Sequence, residues 1–146
     1  MISATSGSFR TYRAWFRAVV GGKDLVLRHT SALECLEMFV GYMNERLIEV
    51  YAKEPGEYEN IDYHIVDSFD GLDIVQFGDV KCTSFNQTIN DMLEDFENID
   101  EKSLAEGLAM YYNSHGDSFD GLVIAPHNQA AFESMRDWAI EYYNED

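Results

Sequence analysis

The 146-residue sequence predicts an α+β fold, a small antiparallel sheet with helices packed on it in the order β-β-α-β-β-α-α-β-α. Three observations lead there. Segments alternating apolar and polar residues are interleaved with segments whose apolar residues recur every three or four positions. Helix-start signals stand at Ser31, Ser84, Ser103 and Pro126. With 46% apolar and 14% aromatic residues the chain can enclose a core, which separates it from charged disordered chains.

Taken in order, residues 9–20 alternate, with Tyr12, Ala14, Phe16, Ala18 and Val20 on one face and Arg13, Trp15, Arg17 and Val19 on the other. Gly21-Gly22-Lys23-Asp24 supplies a permissive turn and residues 25–29 return, giving a hairpin with a partly basic face. Ser31 followed by Glu34 fits a capping box, opening a helix of roughly 20 residues. Its stripe is Leu33, Leu36, Val40, Met43, Leu47 and Val50. Residues 61–66 read as a strand, Asp70-Gly71 as a turn and residues 72–77 as a further strand. Ser84 caps a helix over 85–96 that buries Ile89, Met92, Leu93 and Phe96. Ser103 begins another, with Leu104, Leu108 and Tyr111 inward. Residues 122–125 are a short apolar strand, and Pro126 suits the first turn of a helix running to 144 on Phe132, Met135, Trp138 and Tyr142.

Residues 1–146 form one domain, with a sub-boundary near 53–60 where a β-β-α unit gives way to an α/β remainder. Charge changes sign at the same place. Residues 1–53 carry seven Lys/Arg and five acids, a net of +2. Residues 54–146 carry 22 acids against Lys81, Lys102 and Arg136, a net of −19, and the whole chain stands at −17. A compact body so charged repels itself, so selection for something besides folding holds those acids in place. Halophilic or merely soluble acidity is the rival account. Halophilic proteins reduce bulky apolar residues, whereas Phe and Tyr number nine each here.

The N-terminal residues lack a basic region and an apolar stretch, and no apolar run reaches 18 residues, so neither a leader nor a membrane span is expected. Cys35 and Cys82 have no partner spacing, which fits reduced thiols in the cytoplasm. Cys82 follows Lys81 and precedes a helix start, both of which favour a thiolate, but no His partner is identifiable and catalysis is not expected. His29, His64, His115 and His127 show no i, i+4 pair, so no zinc site is expected. One hexapeptide occurs twice, Asp67-Ser68-Phe69-Asp70-Gly71-Leu72 and Asp117-Ser118-Phe119-Asp120-Gly121-Leu122. Asp67, Asp70 and Asp73 stand three apart, unlike an EF-hand, and Val123 replaces the last in the second copy, so a reused turn is preferred to calcium. No cofactor is expected.

Asp91, Glu94, Asp95, Glu97, Asp100, Glu101 and Glu106 lie on or between two predicted helices, on positions the apolar residues leave free. Carboxylates at i, i+3 and i+4 stand about 5–6 Å apart, near the phosphate interval of one DNA strand. At about 1.7 Å of duplex axis per charge, nineteen charges match about 32 Å of DNA. The ligand such a surface repels is nucleic acid itself. The ligand it attracts is a protein built to bind phosphates. The partner-binding candidates are those seven acids with Asp67, Asp70 and Asp73.

The acidic lead-in Glu57-Tyr58-Glu59, the segment Asp62-Tyr63-His64-Ile65-Val66-Asp67, Phe77-Gly78-Asp79 and the helix pair over 85–96 and 103–112 resemble the ArdA antirestriction proteins, DNA mimics of phages and plasmids. The resemblance covers residues 57–113. It implies an inhibitor that occupies the DNA groove of a restriction or CRISPR-type defence complex. An immunity or antitoxin-type protein covering one basic toxin, such as a nuclease, is the alternative, and a small non-catalytic ligand-binding or interaction domain the second. The last requires a polar pocket with perturbed titratable groups. A homodimer is expected from the aromatic surplus of Tyr12, Trp15, Tyr111, Tyr112, Trp138, Tyr142 and Tyr143.

Overall fold

A computed structural model describes residues 11–39 and 47–144. The elements are α1 (Tyr12–Val20), β1 (Leu25–Leu27), α2 (His29–Cys35), β2 (Ile48–Ala52), β3 (Ile61–Ile65), β4 (Ile74–Phe77), β5 (Val80–Thr83), α3 (Phe85–Glu94), α4 (Glu101–Ser114) and α5 (Gln129–Glu141). Single 3-10 turns stand at Phe96–Asn98, Pro126–Asn128 and Tyr142–Asn144. The class is α+β. The five-stranded sheet is mixed, not antiparallel, in the order β3-β2-β1-β5-β4. β1 pairs antiparallel with β2 and parallel with β5, β2 pairs parallel with β3, and β4 and β5 form an antiparallel hairpin. The sheet runs across the charge boundary, with β1 and β2 before residues 53–60 and β3 to β5 after them.

Three expected elements are corrected. Residues 12–20 form a helix. Tyr12, Trp15, Phe16, Val19 and Val20 fall at i, i+3, i+4, i+7 and i+8, and Thr11 caps the start by accepting from the Ala14 N–H at 3.1 Å. An alternating pattern sets Ala14 and Ala18 on one face with Tyr12, Phe16 and Val20 and so hides that spacing; Phe9 lies outside the described residues. The expected helix over 31–50 is two different elements. Helix α2 stops at Cys35 in a Schellman motif: Glu37 sits at φ +62°, its N–H donates to the Glu34 carbonyl, and the Met38 N–H donates to the Leu33 carbonyl. Glu occupies the position where Gly usually signals the stop, so no residue type announces it. Residues 48–52, rich in β-branched and aromatic side chains, form β2. Val40 and Met43, in the middle of that stripe, lie outside the described residues. Ser31 lies inside α2, and its Oγ accepts from the Glu49 N–H at 2.9 Å.

Residues 122–125 are extended but pair with no strand among the described residues. Their backbone bonds to asparagine side chains of α3. The Val123 N–H donates to Asn86 Oδ1, the Ala125 N–H to Asn90 Oδ1, and Asn90 Nδ2 to the Val123 carbonyl. Two amides one helical turn apart thus do what a neighbouring strand would do. Strand β5 was not foreseen. Ser84 does cap α3, accepting from the Gln87 N–H, whereas α4 begins earlier than expected, with Asp100 as its cap and Ser103 buried within it.

Two clusters form the core. Trp15, Phe16, Val19 and Val20 of α1 pack on Leu27, Ile48, Val50, Ala52, Ile61, Val80 and Cys82 of the sheet. Leu33 of α2 joins Ile89, Met92 and Leu93 of α3, Leu104 and Leu108 of α4, and Phe132 and Met135 of α5 in the second. Helix α2 links the two, and Thr30 donates to Ser103 Oγ at 2.8 Å between α2 and α4. The aromatic surplus is largely used within the chain. Trp15 stacks on Phe16, Tyr111 on Phe85 and His115, and Tyr112 meets Phe119. Trp138 and Tyr142 pack partly buried on the second cluster, and Tyr143 alone of the seven is well exposed. These aromatics therefore give no reason to expect a homodimer.

Candidate functional site

Strand periodicity places the site. Leu27, Val50 and Tyr63 face α1, so Val26, Tyr51 and His64 face the other side of the sheet. The register sets Tyr51 beside both Val26 and His64. Arg28 follows β1 by one residue, and its guanidinium lies over the Tyr51 ring, 4.7 Å from the centroid. The His64 ring meets Tyr51 edge-on at 5.4 Å. Helix α3 covers this face with Asp91, Glu94 and Asp95 at i, i+3 and i+4. Together Arg28, Tyr51, His64, Asp91, Glu94 and Asp95 line a cavity of about 230 Å³.

Each member is held. Tyr51 donates to Asp91 Oδ2 at 2.7 Å, and Gln87 Nε2 donates to Asp91 Oδ1 at 2.9 Å. Burial, reinforced by that carboxylate, pushes the Tyr51 hydroxyl up to about 12. Burial also raises the Asp91 carboxyl, against its two hydrogen bonds. Asp95 accepts from Asn98 at 2.8 Å and is shifted down, first by that bond. Glu94 takes His127 at 2.6 Å.

Beneath the cavity, His29 is strained and buried. Its φ of +50° lies in the left-handed region, uncommon for a non-glycine residue. Arg28 Nη2 donates to His29 Nε2 at 3.0 Å, so the neutral ring carries its proton on Nδ1, which has no acceptor among the described residues. Burial, with the Arg28 charge, lowers the His29 pKa to about 4. Protonating Nε2 would exchange the Arg28 bond for an ion pair with Asp95 Oδ2, 3.4 Å away.

The ten acids proposed from the sequence divide. Asp91, Glu94 and Asp95 meet at the cavity. Asp100 caps α4, accepting from the Lys102 and Ser103 N–H groups, and Glu106 accepts from Tyr142 Oη at 2.9 Å. Glu97, Glu101, Asp67, Asp70 and Asp73 are exposed. The residues that sequence reasoning missed are Arg28, Tyr51, His29 and His64. Pairing register brings the consecutive Arg28 and His29 beside Tyr51 and His64, and no spacing in the sequence carries it.

The thiols are brought together and buried. Hydrogen bonding with Cys35 and burial both raise the Cys82 thiol, so the expected activation at a helix start is reversed. Cys82 lies in a core strand. Both hexapeptide copies form the same turn: the Leu72 and Leu122 N–H groups reach back to the carbonyls of Phe69 and Phe119, and Gly71 and Gly121 have φ of +87° and +90°. Among the described residues, no three His, Cys, Asp or Glu side chains converge to hold a metal, and no helix is long and apolar enough to cross a membrane. No family model matches the chain, and no curated protein matches it in sequence.

Proposed function

We propose that the protein is a polyanionic inhibitor occupying the nucleic-acid-binding groove of a basic partner, such as a restriction or CRISPR-type defence complex. One observation carries the reading. Of the 22 acids after residue 53, 16 are exposed, four are half-buried and two lie outside the described residues. Of the three cations in that part, Lys81 turns to Asp24 of the N-terminal part and to the Phe69 ring. Acids held in water by a folded scaffold cost self-repulsion, as expected where their charge serves an external partner. The ArdA-like pattern of residues 57–113 supports the same reading, with its strand and helix pair standing as β3, α3 and α4.

The test is capture from cell lysate on the immobilised full chain. Basic nucleic-acid-binding proteins should be retained at low salt and released both by high salt and by competing duplex DNA. Retained proteins that duplex DNA fails to displace would overturn the mimicry.

A further inference from the structure

The cavity beside Arg28 brings a guanidinium and three carboxylates to one lining, with no aliphatic side chain among the described residues that line it. We propose that it binds a small zwitterion of amino-acid size, with the anionic group towards Arg28 and the cationic group held by Asp91, Glu94 and Asp95. This inference stands apart from the inhibitor reading.

Four observations converge. The cavity, about 230 Å³, is lined among the described residues by Arg28, Tyr51, His64, Asp91, Glu94 and Asp95, which suits a compact polar ligand. Arg28 is 7% exposed, and its Nε–H has no acceptor among the described residues, an arrangement folded proteins avoid without a reason. Asp91, Glu94 and Asp95 stand at i, i+3 and i+4 at the C-terminal end of α3, a face of like charge that a ligand cation would relieve. The segment that positions Arg28 holds His29 at φ +50° with Nδ1 unpartnered, backbone strain of the kind that clusters at ligand sites.

The charge pattern selects the class. A bare cation would meet the buried guanidinium, and a bare anion would meet three carboxylates. A molecule carrying both signs a few ångströms apart meets a complement at each end. The Tyr51 and His64 rings, edge to face at 5.4 Å, also line the cavity.

The test titrates the full chain with the twenty L-amino acids, reading the His64 imidazole resonances by NMR and heat by calorimetry. Each binder is compared with its decarboxylated amine and its deaminated acid, as alanine with ethylamine and propionate. At least one amino acid should saturate below about 1 mM, with both truncated analogues weaker by about tenfold or more. Asp91→Asn, which keeps the shape of its side chain, should weaken binding by about fivefold or more while circular dichroism stays unchanged. Arg28→Lys serves as the second variant and should weaken the deaminated acid and the amino acid alike. Three results would overturn the proposal: no amino acid saturating by about 10 mM, an amine binding as well as its amino acid, or full affinity in a folded Asp91→Asn. None of these depends on capture of a basic partner, so the two readings fail separately.

Discussion

His29 concentrates the tension of this molecule in one side chain. Burial, with a neighbouring guanidinium, keeps its imidazole neutral in the folded protein. Its folded pKa, about 4, lies below the ordinary 6.5. Between those values the unfolded chain takes up a proton that the folded one refuses, so stability falls as pH drops through that window and levels off below it. The contribution is on the order of 3 kcal/mol. Asn tolerates the left-handed backbone and does not titrate, so His29→Asn isolates the effect. Urea unfolding at pH 7 and pH 4.5 should show the wild type losing about 2 kcal/mol more than the variant. Equal losses would mean that His29 titrates normally in the folded protein.

At the scale of elements, glycine is missing where it would help and present where it is needed. Glu37 terminates α2 in the left-handed region, and its contact with Arg13 is a 3.6 Å pair between exposed groups, worth little. Glu37→Gly should therefore stabilise the protein by about 0.5–1 kcal/mol in thermal or chemical unfolding. A destabilised variant would mean that the Arg13 pair outweighs the backbone strain. The duplicated turn gives a matched comparison. A Cβ at Gly71 meets open space, whereas one at Gly121 would lie 2.8 Å from Tyr111 Oη, which donates to the Asp120 carbonyl. Both Gly→Ala changes cost the positive φ, about 1–2 kcal/mol, and Gly121→Ala should cost about 1 kcal/mol more by displacing that bond. Equal costs would show that Tyr111 yields freely.

For the whole molecule, charge is the dominant variable. With a net charge of −17, folding works against self-repulsion that salt relieves. Screening shortens from about 30 Å at 0.01 M to about 3 Å at 1 M, so the melting temperature should rise between those salt concentrations while partner binding falls. A melting temperature that falls with salt would show that local ion pairs, not repulsion, set the balance. Neutralising Asp67, Asp70, Asp73, Glu97 and Glu101 together should weaken partner capture progressively, and each alone should do little. These five are chosen because they are exposed; Asp91, Asp95, Asp100 and Glu106 also hold local structure, so their loss would confound the measurement.

Local chemistry made much of this protein legible without coordinates. Ser84, the Asp-Gly turns, Pro126 and the apolar periods of α3, α4 and α5 act within a few residues of themselves, so they read directly and fix the α+β class. The net charge reads the same way, because it needs no geometry. What failed needed knowledge of distant neighbours. A stripe continuous over Leu33 to Val50 is divided between a helix and a strand by a stop at Glu37 that no glycine announces. Residues 122–125 find their backbone partners in Asn86 and Asn90, more than thirty positions away. The cavity is the clearest case. Arg28, Tyr51, His64 and Asp91 come from four separate elements, and they meet only because strand register and the docking of α3 bring them together.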